Sequence, residues 1–347
     1  SSNDMGQTIL VTGGAGFIGS NLVRFILENR PDDRVINLDG LTYAGNLESL
    51  ADLADDPRYE FVHADINDAD KLDEVMPRVD CVLHLAAESH VDRSIHDPSL
   101  FLRTNIIGTQ VLLDSFKKHK GNDGRFVYVS TDEVYGELPL DDKSQLFTES
   151  TPLKPNSPYA VSKTGGDMLA RAYWHTYGMD VCITRCSNNF GPYQFPEKVI
   201  PLFVNNLIEG KSVPLYGDGS NIRDWLHVLD HCEAICRVLD DGKSGEAYNI
   251  GGNNERSNLE LTKMLIKLCD RDESAIERVP DRLGHDKRYA IDATKIKREL
   301  GWEPTRSAWP DALEATVQWY KDNRIWSDHV RSGEYRRFYE QNYASRA

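Results

Sequence analysis

Ser130-Thr131-Asp132-Glu133-Val134-Tyr135-Gly136 puts hydroxyls and two carboxylates side by side, directly after an apolar run, Arg125-Phe126-Val127-Tyr128-Val129, that reads as a buried strand. Carboxylates crowded at such a strand end are costly unless they are paired, solvated or used. Two neighbouring acids in a cleft have their pKa values pushed apart, so that one donates a proton while the other accepts one. Twenty-six residues after Glu133 the chain reads Tyr159-Ala160-Val161-Ser162-Lys163. Residues four apart share one helix face, and Asn156-Ser157-Pro158 just ahead is a helix-start signal. An ammonium beside a phenol favours the phenolate, which takes a proton from a hydroxyl as hydride leaves its carbon.

The elements that must position these groups begin with a dinucleotide turn. Thr8-Ile9-Leu10-Val11-Thr12 is a short apolar strand, and Gly13, Gly16 and Gly19 follow it in G-x-x-G-x-x-G spacing as a helix opens at about Phe17. Gly13 allows the tight turn, Gly16 lets backbone approach a pyrophosphate, and Gly19 permits close helix packing. Phosphates then meet the helix N-terminus. Asp39 ends the next strand, 26 residues after Gly13. A carboxylate there binds ribose hydroxyls and repels a 2′-phosphate, which favours NAD over NADP. Asp65 ends a third strand, within reach of an adenine or as a helix cap. Leu85-Ala86-Ala87-Glu88-Ser89 ends a fourth and should line the cofactor, because ligands of such sheets sit at the carboxyl ends of strands.

Strands 8–12, 34–39, 59–65, 81–87, 125–130 and 181–185 alternate with helical patterns, one of them from about Pro98 to His119. That alternation predicts an α/β fold with a doubly wound parallel sheet of the Rossmann type, spanning residues 5–187 and carrying the catalytic groups. Beyond about Asn188, Pro192, Pro196, Pro201 and Pro214 break the pattern and Gly217-Asp218-Gly219 marks a loop. Residues 188–347 are expected to form a smaller C-terminal substrate-binding lobe, with some elements returning to the sheet and a final helix in the tail from about Asp328. An NAD site, a tyrosine base and an acid pair together point to loss of water through an oxidised intermediate.

Composition narrows the setting. The net charge of −15 argues against non-specific nucleic-acid or membrane binding. No run of 18 or more apolar residues suggests a membrane span, and no signal peptide is evident. The six cysteines, Cys81, Cys182, Cys186, Cys232, Cys236 and Cys269, lack tight metal-ligand spacing. They read as free thiols, mostly buried, in a reduced, cytoplasmic protein, and no metal is expected. His63, His84 and His227 read as structural.

These segments resemble the extended short-chain dehydrogenase/reductase family and, within it, the dTDP-glucose 4,6-dehydratases. The resemblance runs from Thr8 to about Tyr320. Beyond the glycine turn, the acid segment and the Tyr159–Lys163 pair, it is carried by 86–94, 185–193, Tyr216-Gly217-Asp218-Gly219, Arg223-Asp224-Trp225 and 281–286. It implies that Tyr159 removes the proton of the glucose C4 hydroxyl while NAD takes the hydride. Glu133 then removes the C5 proton, Asp132 protonates the departing C6 hydroxyl, and Thr131 hydrogen-bonds the 4-oxygen. It places Phe17, Ile18, Leu41, Thr42, Ile66, Thr104 and Asn189 on the cofactor side. It places Ser89, Asn188, Lys198, Val199, Arg223, Asn258, Asp281 and His285 with the nucleotide sugar, dTDP-glucose, and Pro214 and Tyr216 beside the base. A homodimer is expected through the Tyr159 helix. A UDP-linked sugar or another hexose stays open. Related decarboxylases and GDP-mannose dehydratases tend to carry Ser-Glu where this chain has Asp132-Glu133, and epimerases lack the acid pair. A non-enzymatic dinucleotide-binding regulator would be free to lose Tyr159, Lys163 or the acids, and this chain keeps all four.

Overall fold

In the computed structural model, residues 6–41, 46–85, 98–283 and 285–333 are described. The expected parallel sheet is present, built from β1 (Thr8–Thr12), β2 (Arg34–Asp39), β3 (Tyr59–His63), β4 (Cys81–His84), β5 (Arg125–Thr131), β6 (Asp180–Cys186) and β10 (Ala247–Ile250). The strands lie in the order β3-β2-β1-β4-β5-β6-β10, and every neighbouring pair is parallel. The central strands are apolar on both faces because helices cover both. On one face Ile9, Val11 and Val127 pack with α1 (Phe17–Asn29) and α6 (Val228–Asp241). On the other, Leu10, Phe126 and Tyr128 pack with α2 (Ala69–Val75), α3 (Gly108–Lys120) and α4 (Pro158–Tyr177). Strand order reverses between β1 and β4, and ligands bind outside such a switch point.

Three elements from beyond residue 188 complete this layered unit: α6, β10 and α8 (Thr294–Leu300), whose Ile296 packs into the same core as α1 and α6. The remainder encloses a core of its own, in which Phe190, Ile200, Trp225, Leu261, Trp309 and Tyr320 meet. It is framed by β7 (Asn188–Phe190), α5 (Val199–Ile208), β8 (Val213–Tyr216), β9 (Ile222–His227), β11 (Glu255–Ser257), α7 (Asn258–Leu268), β12 (Ile276–Val279), α9 (Asp311–Asp322) and α10 (Arg324–Ser332). The strands pair as β11-β9-β7 and β12-β8.

Three segments differ from the sequence expectation. The helix from 98 to 119 is broken: Ser99–Leu102 is α-helical, Arg103–Ile107 widens into a π-helical turn, and α3 starts at Gly108. A Cβ at Gly108 would lie 2.4 Å from Ile66 Cγ2, so the chain passes too close to Ile66 for any larger residue. β3 and β4 stop two and three residues early; past His84 the Leu85 N–H turns to Thr12 Oγ1, at 3.1 Å, instead of to a strand. The last described helix, α10, begins at Arg324, ahead of the expected start near Asp328, and the tail beyond residue 333, where that helix was expected to continue, lies outside the described residues.

The cysteines are free, five of them buried and Cys269 partly so. His84 is locked by its neighbours. Thr109 Oγ1 donates to Asn105 O (2.6 Å), so it accepts from Nε2 of His84 (2.8 Å). Nδ1 then accepts from Thr12 Oγ1 (2.6 Å). Burial, aided by the charge of Lys163, lowers the pKa of this imidazole to about 3, and it is neutral and structural. Among the described residues no helix is long and apolar enough to cross a membrane, and no cluster of His, Cys, Asp or Glu is placed to hold a metal.

Candidate active site

The glycine turn is shaped by contacts that exclude side chains. Gly13 adopts φ 71°, donates to Leu38 O at 3.0 Å and accepts from Gly16 N–H at 3.1 Å. A Cβ at Gly19 would fall 2.0 Å from Gly13 O, so the first turn of α1 lies against the loop itself. Gly16, the N-cap of α1, brings no side chain to cap it, and its first turn holds no acid. Gly13, Phe17 and Ile18 line a cavity of about 310 Å³, within the range of small-molecule sites.

Asp39 does more than its position suggested. Its carboxylate accepts the Ala15 N–H at 3.0 Å and the Leu41 N–H at 2.7 Å, and Leu41 takes the left-handed φ of 52° that this turn demands. Asp39 therefore braces the glycine turn from below, and burial raises its pKa against those two hydrogen bonds. Asp65 is exposed and accepts from Asn67 N–H at 2.8 Å; the cap of α2 is Asp68. Ile66 is buried and Thr104 half-buried on the π-helical turn. Gly16, Gly19, Asp39, Leu41, Asp65, Ile66 and Thr104 are not among the residues lining the cavity, whereas Leu85 and Asn189 are. Thr42, Ala86, Ala87 and Ser89 lie outside the described residues.

The acid segment leaves β5 as a short 3₁₀ turn, Asp132–Tyr135, whose N-cap Thr131 accepts the Glu133 N–H at 3.3 Å. The two carboxylates face different surroundings. Asp132 is 1% exposed, and its Oδ2 has no partner among the described residues. Burial raises its pKa well above the ordinary carboxylate range, and the negative charges of Glu133 and Asp224 add to this against Arg223. Glu133 is half-buried and lines the cavity. Burial raises its pKa too, with Lys198 and Arg223 opposing part of the rise. One acid is thus sealed with its pKa pushed up, while its neighbour opens on the cavity near two cations.

Ser157 caps α4, accepting the Ala160 N–H at 3.1 Å, with Pro158 at the first helical position. Tyr159 and Lys163 consequently face the same cavity. Lys163 is 3% exposed. Its Nζ donates to Val129 O at 2.7 Å and to Leu85 O at 3.4 Å, and lies 4.8 Å from the Tyr128 ring centre. Burying an ammonium costs several kcal/mol, which these contacts offset while fixing its position at the cavity wall. The Tyr159 ring meets Phe101 edge-on at 6.1 Å.

The opposite wall comes from the smaller lobe. Asn188, Lys198, Val199, Pro214, Tyr216, Arg223, Asn258 and His285 all line the cavity. Arg223 is 7% exposed and stacks over Tyr289 at 4.5 Å. Asp281 stands behind, accepting from His285 Nδ1 at 2.7 Å. Three residues at the cavity had no site role from the sequence: Arg282, which stacks over Tyr216 at 4.2 Å, Asp286, which accepts from Asn156 Nδ2 at 2.8 Å, and Tyr289, which donates to Asp286. Arg282 and Asp286 belong to the segment 281–286 that carried the resemblance, and Tyr289 lies four residues past His285, which was the available signal. Lys163, Lys198, Arg223 and Arg282 bring four cations to one cavity of a chain with net charge −15.

Comparison with known proteins agrees with this arrangement. The GDP-mannose 4,6 dehydratase family profile matches residues 10–309. The chain is 50% identical to the dTDP-glucose 4,6-dehydratase of Shigella flexneri, over 97% of this chain and 99% of that one. It superposes on DesIV, the dTDP-glucose 4,6-dehydratase of Streptomyces venezuelae solved with NAD and TYD bound, with TM-score 0.89 and 54% identity, covering 93% of this chain and 99% of that one. The corresponding Bacillus anthracis enzyme in complex with NAD gives TM-score 0.86 and 49% identity, with the same coverage. Since the profile match takes in the glycine turn, the acid segment after β5, α4 and most of the smaller lobe, the chain belongs to the GDP-mannose 4,6 dehydratase family.

Proposed function

We propose that this protein is an NAD-dependent hydro-lyase, a dTDP-glucose 4,6-dehydratase, which converts dTDP-glucose into dTDP-4-keto-6-deoxyglucose and water. The observation that carries the reading is the contrast between Asp132, sealed from solvent with its pKa raised by burial, and Glu133, open to the cavity that Tyr159 also lines. Simple oxidation or epimerisation at C4 has no use for such a pair. The dTDP-glucose dehydratases at about half identity support the same assignment.

The glycine turn fits NAD: side chains are excluded from it and no acid opposes a phosphate at the start of α1. Gly13, Gly16, Phe17, Ile18 and Gly19 would hold the pyrophosphate, Asp39 the adenosine ribose, and Tyr159 and Lys163 the reacting end. When bound, NAD supplies the hydride acceptor at C4 and the hydride donor at C6. Tyr159 takes the proton of the C4 hydroxyl, and the Lys163 ammonium stabilises the negative charge on its oxygen. Thr131 hydrogen-bonds the 4-oxygen. The 4-ketone acidifies C5, whose proton passes to Glu133, while Asp132 gives its proton to the C6 hydroxyl, which leaves as water. Glu133 then returns a proton to C5. Lys198 and Arg223 pair with the pyrophosphate of the substrate, with Asn188, Asn258 and His285 around it and Pro214 and Tyr216 beside the base.

The reading divides the chain into a catalytic unit, 5–187, and a nucleotide-sugar lobe, 188–347, with α6, β10 and α8 serving the first. It places the enzyme in the cytoplasm, in keeping with six free thiols. It also makes the enzyme a homodimer. α4 turns Val161 and Met168 outward, 44% and 53% exposed, and Leu100 and Ile107 are also exposed. Bare apolar side chains of this kind suit pairing with the same face of a second copy. Sedimentation equilibrium is expected to give twice the chain mass of 39.3 kDa, and Met168→Glu to shift it to the monomer; a wild-type monomer would refute the pairing.

The function itself is tested with substrate deuterated at C4. The label is expected at C6 of the product, transferred within one molecule, with solvent hydrogen at C5 and no net NADH. Label returned to C4, or NADH released in step with product, would rule out the dehydratase.

A further inference from the structure

The oxidising pair and the eliminating pair stand on different elements. Tyr159 and Lys163 open α4, and Asp132 and Glu133 form the turn after β5. Both must address one sugar ring, since C4, C5 and C6 are successive carbons. Near the cavity the two elements are joined by Lys163 Nζ on Val129 O and by Tyr128 Oη, which donates to Lys163 O at 3.0 Å. α4 leans so closely on β5 that a Cβ at Gly166 would meet Tyr128 Oη at 2.3 Å.

Behind the cavity the link is a single guanidinium. Arg185, on β6, donates from Nε to Asp167 Oδ2 at 2.9 Å and from Nη2 to Asp167 Oδ1 at 2.8 Å. Asp167 lies four residues beyond Lys163 on α4. The remaining nitrogen, Nη1, donates to the Tyr135 hydroxyl at 3.1 Å, two residues beyond Glu133, and the guanidinium stands 5.3 Å from the Tyr135 ring centre. The Tyr135 hydroxyl spends its one proton on Asn249 Oδ1 at 2.6 Å, in β10. Its oxygen is therefore an acceptor towards Arg185, and the direction of each bond is determined. Arg185, Asp167, Tyr135 and Asn249 are 6%, 1%, 3% and 0% exposed, and none of them lines the cavity.

A buried ion pair is a poor source of stability, because desolvation cancels much of its attraction. What a planar fork supplies is geometry: both carboxylate oxygens and the phenol must meet it in one plane. We propose that Arg185, gripped between Asp167 and Tyr135, is a positioning residue that holds the acid–base turn in register with the Tyr159–Lys163 helix, and so couples loss of water to C4 oxidation. The proposal rests on the dehydratase reading.

Tyr135→Phe tests it, since the ring and its stacking on Phe147, at 5.0 Å, are retained and only the hydroxyl, with its bonds to Arg185 and Asn249, is removed. In single turnovers with dTDP-glucose, the rise at 340 nm reports C4 oxidation. Exchange of the C5 hydrogen with deuterated solvent, read by mass spectrometry, reports Glu133, and product formation reports loss of water. A misplacement of about 1 Å costs up to about 10²-fold. Tyr135→Phe is therefore expected to keep KM and the oxidation rate within about threefold, to slow C5 exchange and water loss roughly 10–100-fold, and to accumulate reduced cofactor. Arg185→Lys, which keeps the charge and loses the fork, should shift the balance the same way where it folds; Tyr135→Phe decides alone where it does not. Equal slowing of both half-reactions, slowing of oxidation alone, or no change in their ratio would overturn the positioning role. The wild-type enzyme run beside it separates the two levels. Should it fail to carry C4 deuterium to C6, the dehydratase reading falls; should it succeed while Tyr135→Phe keeps the wild-type ratio, only the positioning role falls.

Discussion

Tyr159→Phe is expected to lower turnover roughly 10²–10⁴-fold, the usual contribution of a positioned general acid–base group, with KM nearly unchanged. The ring that meets Phe101 is kept and α4 is capped independently by Ser157, so the fold should persist and its melting temperature should move little. What disappears is the oxygen that takes the C4 proton above Lys163. Single-turnover absorbance at 340 nm should stay flat, because the reaction stops before oxidation. Turnover within tenfold of wild type would remove Tyr159 from the mechanism.

The acids should fail later, and each in its own way. Asp132→Asn is nearly isosteric, and it replaces a carboxyl whose pKa is raised by burial, with Glu133 and Asp224 adding to it. Its effect should therefore be chemical: C4 oxidation proceeds, while loss of the C6 hydroxyl slows about 10²-fold or more for want of a proton donor. Glu133→Gln should abolish exchange of the C5 hydrogen with solvent, again with oxidation preserved. The pH profile follows from the same two environments. Asp132 is useful protonated and its pKa is raised, so its contribution is lost only as pH climbs through that raised value. Glu133 is useful ionised; burial raises its pKa while Lys198 and Arg223 oppose the rise. Its contribution is lost as pH falls through its own value. The water-loss step should thus show a plateau bounded below by Glu133 and above by Asp132. Wild-type turnover in Asp132→Asn would mean that water, not Asp132, is the acid.

Both acids were legible as a pair from their adjacency, and which one donates was legible only through the family resemblance. Tyr159 and Lys163 share a face because four residues make about one helical turn. Gly13, Gly16 and Gly19 mark their turn because glycine spacing encodes backbone conformation directly. The sheet was legible from apolar runs separated by helical patterns, apart from strand ends, where the Thr12 hydroxyl displaced a ladder bond. These are contacts within a turn or two of chain, and their information is local.

Asp132 and Glu133 diverge because packing seals one and leaves the other on the cavity, and because Asp224 acts on Asp132 while Lys198 acts on Glu133, both from the other lobe. Asp39 doubles as a brace because Ala15, 24 residues away, points an amide at it. Arg282, Asp286 and Tyr289 reach the cavity because the segment around residue 286 is tied to Asn156 across 130 residues. The Arg185 clamp joins residues 50 and 18 positions away, and β10 reaches the sheet from beyond the expected boundary. Residue types and short-range spacing therefore determined the chemistry available and the elements that carry it. Which carboxylate keeps its proton, and how rigidly it faces the tyrosine, was decided by tertiary packing, since burial and the field of distant charges exist only once the layers have come together.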